Sequence, residues 1–124
     1  MNQTTTTTIN NMLSVANIRA LANEKISFCK EMKIPVAAVE YECNNLFGYA
    51  LLIESGYTEE KLQAMLSELD KKLFTCERTF QKLLEKQDFS NANQYFKESK
   101  IAQLSTDCNS LKVVLNITPK SHER

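Results

Sequence analysis

The chain has 124 residues, 43% of them hydrophobic, with 15 basic and 15 acidic side chains and no net charge at pH 7. That length holds one domain, and that apolar content excludes disorder throughout. Charge is spread evenly, so the clustered Lys and Arg that a nucleic-acid binder needs for its phosphate contacts are absent and no nucleic-acid partner is expected.

Residues 1–8, MNQTTTTT, are a Thr-rich stretch without an apolar partner and are expected to be a disordered tail. The same opening lacks the basic and apolar regions of a secretory leader. The longest apolar run, LFGYALLI, is too short to cross a bilayer. A cytoplasmic protein with no membrane contact is therefore expected.

The domain is placed at residues 9–116. From Ile9 to Lys33, the apolar residues Met12, Val15, Ile18, Ala22, Ile26, Cys29 and Met32 recur at helical spacing. Pro35 ends that helix, because the residue before a proline avoids the α region.

Residues 36–53 fit two patterns. As a helix, Val36, Val39, Cys43, Leu46, Phe47 and Ala50 share a face, Gly56 supplies the left-handed C′ residue and Thr58 caps the next helix. As strands, AAVEYEC alternates and LFGYALLI returns after Asn44-Asn45, giving a small β-hairpin in an α+β fold. No other segment reads as a strand, and an isolated hairpin is marginal, so the helix is preferred.

Residues 58–87 form the strongest element, a long central helix. Leu62, Leu66, Leu69, Leu73, Cys76, Phe80 and Leu83 lie on one line at alternating spacings of four and three. The stretch DFSN breaks it. Ser90 then caps one last helix to about Leu115, with Ile101, Leu104, Cys108, Leu111 and Leu115 as a matching seam. Residues 117–124 are expected to be a disordered C-terminal tail. The fold class is all-α, a bundle of about four helices. Its central seam is filled by the last helix folding back, or by a second copy in a homodimer.

Catalytic equipment is missing from this pattern. His122 is the lone histidine and lies in the C-terminal tail, so no imidazole base or ligand is available to a folded site. Cys29, Cys43, Cys76 and Cys108 are far apart and read as buried reduced thiols, not as metal ligands. Glycine-rich phosphate loops are absent. No enzyme, cofactor or metal is expected.

Several aromatic residues do not fit the stripes. Phe74 lies off the seam of the central helix, Phe89 lies in the turn, and Tyr95 and Phe96 lie off the seam of the last helix. Aromatic side chains anchor protein interfaces. Phe74, Phe89, Tyr95 and Phe96 are therefore the candidate partner-binding residues of a non-enzymatic interaction protein: an adaptor, an inhibitor or a chaperone-like factor. Two alternatives stand beside it. One is a ligand- or cofactor-binding bundle with a pocket lined by Cys43, Phe47, Tyr49 and Cys76. The other is an accessory protein of nucleic acids.

Overall fold

The computed structural model describes residues 12–117. The tail expected at 1–8 lies outside them, as does all of the tail expected at 117–124 except Ile117. Five helices follow in order: α1 (Val15–Glu31), α2 (Ala37–Glu54), α3 (Glu59–Glu85), α4 (Phe89–Ser99) and α5 (Ile101–Val114). Among the described residues there is no strand, which overturns the hairpin alternative at 36–53.

Each start has a local cause. The Ser14 hydroxyl accepts the Asn17 N–H (3.1 Å) at the head of α1, and the Thr58 hydroxyl accepts that of Lys61 (3.2 Å) at the head of α3. Glu59 and Glu60 occupy the first turn of α3, where the helix dipole favours anions. Gly56, at φ 109°, closes α2 as expected.

The last segment differs from expectation in two ways. Its cap is Asp88, whose carboxylate accepts the Asn91 N–H at 3.5 Å and the Asn91 side-chain amide at 2.8 Å; Ser90 is inside the helix. The expected single helix is also broken in two. Lys100 adopts the left-handed conformation, φ 59° and ψ 42°, and the chain turns there from α4 into α5. Among the described residues the bundle therefore has five helices instead of four.

Helices α1 and α2 form an antiparallel pair. The Arg19 guanidinium grips both Glu54 oxygens, at 2.8 and 3.1 Å, and Lys25 pairs with Glu42 at 3.0 Å. Helix α5 packs against α2 and α3, and α4 against α3. The Leu13 N–H donates to the Val114 carbonyl (2.9 Å), tying the head of α1 to the end of α5. The core gathers Ile18, Ala22, Cys43, Leu46 and Ala50 from the first pair. Leu62 and Leu66 join from α3, and Cys108, Leu111 and Val114 from α5, with Leu115 just beyond it.

The central seam divides along its length. Leu62 and Leu66 are buried in the core, with Leu69 and Leu73 at its edge. Cys76, Phe80 and Leu83 are half-buried, on the half of α3 that carries α4. The far half of α3 with α4 thus forms a two-helix arm, in which Ala92 is the one buried residue of α4.

Candidate protein-docking surface

The arm is too thin to hide its aromatic side chains. In α4, Phe89, Ala92, Asn93 and Phe96 fall at i, i+3, i+4 and i+7, on one face of the helix. Ala92 turns inward, and its small side chain lets α4 approach α3. Phe96 reaches across to Phe80, with ring centroids 5.3 Å apart and planes tilted by 49°. That separation is within the range of favourable aromatic pairs.

Two shallow recesses meet at this pair. One, of about 490 Å³, is lined by Phe74, Arg78, Phe80, Phe96 and Ile101 among others. The other, of about 300 Å³, is lined by Phe80, Leu84, Phe89, Ala92, Asn93 and Phe96. Phe74 and Phe89 stand at opposite ends, 61% and 62% exposed. The Arg78 guanidinium lies over the Phe74 ring at 5.8 Å, a cation–π contact that leaves much of the ring in water.

Three of the four expected residues, Phe74, Phe89 and Phe96, therefore border one continuous surface. Tyr95 does not line either recess. It is half-buried one position round the helix, beside Cys76 and Thr79 of α3, and hydrogen bonding to Cys76 raises its phenol above the ordinary value. Phe80 is the residue that sequence reasoning left out of the surface. Its place on the seam line marked it as core, and only the thinness of α4 brings it to the surface.

The alternative pocket of Cys43, Phe47, Tyr49 and Cys76 does not form. The Cys43 thiol faces α1, donating to the Ala22 carbonyl at 3.5 Å, and burial pushes it above the ordinary thiol range. Phe47 packs on the core, Tyr49 lines a groove between α2 and α3, and Cys76 lies out on the arm. Cys29, Cys43 and Cys108 are buried thiols, and all four cysteines are free. Burial, with a hydrogen bond to Asp70, pushes Cys108 up to about 11. Among the described residues no three His, Cys, Asp or Glu side chains cluster closely enough to hold a metal ion. No described helix is long and apolar enough to cross a membrane.

Compared with known proteins, the chain matches no family model, no curated protein and no solved structure.

Proposed function

We propose that this is a non-enzymatic cytoplasmic protein that works by binding another protein, and that the arm is its docking element. One observation carries the reading: Phe74 and Phe89 stand more than 60% exposed on either side of the packed Phe80–Phe96 pair. Burying a phenyl side chain is worth about 1.5–3 kcal/mol, so each one left in water forgoes a gain the fold could have taken. Aromatic anchors beside preformed recesses are the usual energetic centre of a protein interface. Both recesses are lined by side chains of helices, whose interior backbone groups are already paired, so a partner is met chiefly by side chains. A partner helix laying an apolar stripe along the arm satisfies that condition.

The test is site-specific photocross-linking. A photoreactive phenylalanine analogue is placed at Phe89, and in a control at exposed Asn109 on α5. The expected result is a discrete protein adduct at Phe89, none at Asn109, and loss of the adduct in Phe74→Ser. The partner identified this way then binds the purified native chain and not the purified Phe74→Ser chain, whose melting temperature is unchanged. Equal adducts at both positions, or adducts indifferent to Phe74, overturn the reading.

A further inference from the structure

On the other side of α3, away from the arm recesses, lies an open groove of about 720 Å³ between α2 and α3, floored by α5. Tyr49, Leu52, Met65 and Leu69 supply apolar walls, while Tyr41, Asn44, Asn45, Glu68 and Asp107 supply polar groups. Its size is that of a small-molecule site, about 300–1,000 Å³.

Three features set this groove apart. First, its lining holds two carboxylates, Glu68 and Asp107, and no Lys or Arg. Second, the Asp107 carboxylate is held in place from one side only. The Tyr41 hydroxyl donates to its Oδ1 at 2.7 Å, and the Asn45 side-chain amide donates to the same oxygen at 3.0 Å. Among the described residues Oδ2 accepts no hydrogen bond. Lys72 and Lys100 line an adjoining recess that shares Tyr41 and Asp107 with the groove, and Lys72 also borders Glu68, but neither lysine comes within ion-pairing distance of Asp107. Third, Gly48 lies mid-helix in the groove wall, where glycine is destabilising relative to alanine. A Cβ built there meets nothing within 4 Å, so no contact inside the chain requires a glycine. Gly48 lines the groove, so a side chain at this position would narrow it.

We propose that the groove binds a small organic cation: an apolar or aromatic body ending in an ammonium group. The ammonium meets Asp107 at Oδ2, beside the Tyr41 and Tyr49 rings, whose faces attract cations. The body lies along Leu52, Met65 and Leu69. Glu68, an exposed residue of the lining, raises the local concentration of cations and repels anions. A carboxylate already fixed by two donors costs little to order when the ligand arrives. The site is independent of the arm, and it stands or falls separately from the protein-docking reading.

The test uses a panel of amines, aryl and alkyl, primary and quaternary, each paired with the alcohol of the same shape. Binding is read by calorimetry and by the side-chain amide resonance of Asn45. At least one amine is expected to saturate and to bind at least about tenfold tighter than its alcohol, as one charge-assisted contact provides. Asp107→Asn keeps an acceptor for Tyr41 and Asn45, so the fold persists, and it is expected to erase the preference for the amine. Gly48→Leu fills the groove and is expected to abolish binding of both members of the pair, with a melting temperature no lower than the native chain. Failure of the whole panel at millimolar concentration overturns the proposal. So does equal binding of amine and alcohol, or a preference that survives Asp107→Asn. Binding confined to a lysine-bearing helical peptide, with every free amine silent, also overturns it.

Discussion

Individual residues carry local costs that mutation can recover. Ser110 is 3% exposed, and its hydroxyl has no hydrogen-bond partner among the described residues. An unpaired buried hydroxyl costs about 1–3 kcal/mol. Ser110→Ala is therefore expected to raise stability by about 1 kcal/mol in urea unfolding. An unchanged midpoint would mean the hydroxyl is already satisfied. Helix ends tell a related story. The ends of α1, α2 and α3, and the turn after α5, each close with paired bonds from the two residues past the cap. Examples are Ile34 N–H to the Cys29 carbonyl and Asp88 N–H to the Leu83 carbonyl, at 2.8 and 3.0 Å. Glycine serves this role only at Gly56; Lys33, Gln87 and Asn116 hold the same left-handed turn with side chains. Lys100 does so as well, at the α4–α5 junction. Lys100→Gly relieves that conformation and is expected to stabilise by about 0.5–1 kcal/mol, a rise of a few degrees in melting temperature. A β-branched residue there is expected to do the opposite.

At the scale of elements, α3 was fully legible and the helix after it was not. A regular apolar line with a Thr cap and acidic first turn leaves little choice of conformation. The α4–α5 break has no such mark, since Lys100 is neither glycine nor proline; tertiary packing imposes it by turning Ile101 and Leu104 into buried positions. Helix α2 was ambiguous because it presents apolar residues on more than one face: Cys43, Leu46 and Ala50 to the core, Tyr49 and Leu52 to the groove. The groove itself left a trace in the sequence. Asn44, Asn45 and Gly48 are poor helix formers gathered on one side of α2, a cost that the fold of the helix does not explain. The division of α3 also predicts unequal costs along one seam. Leu62→Ala, at a fully buried site, is expected to cost about 2–5 kcal/mol. Leu83→Ala, on the half-buried arm, is expected to cost less than half as much. Equal losses in chemical denaturation would show that the arm is as tightly packed as the core.

For the molecule as a whole, the α1–α2 pair is clasped at its open end by the Arg19–Glu54 fork. Hydrogen bonding to Arg19 holds the Glu54 carboxyl below its ordinary value of 4.5. A depressed carboxyl stabilises the fold above its unfolded pKa, and the contribution is lost as pH falls through the folded pKa. Glu54→Gln is expected to melt slightly below the native chain at pH 7, with the gap closing as the pH is taken below 4.5. A gap that stays constant across the acid range would show that the fork contributes through packing, not charge.

The position of α5 has a consequence for how the chain is made. Neighbours in sequence supply the local pairings, α1 with α2 and α3 with α4, which close the shortest loops. The contacts that join the two pairs run through α5, which supplies Cys108, Leu111 and Val114, with Leu115 just past its end. During synthesis, α5 and Leu115 must clear the ribosome before Leu62 and Leu66 can be covered. Until then the nascent chain carries two helical hairpins with open apolar faces, in the state most exposed to aggregation and most accessible to chaperones.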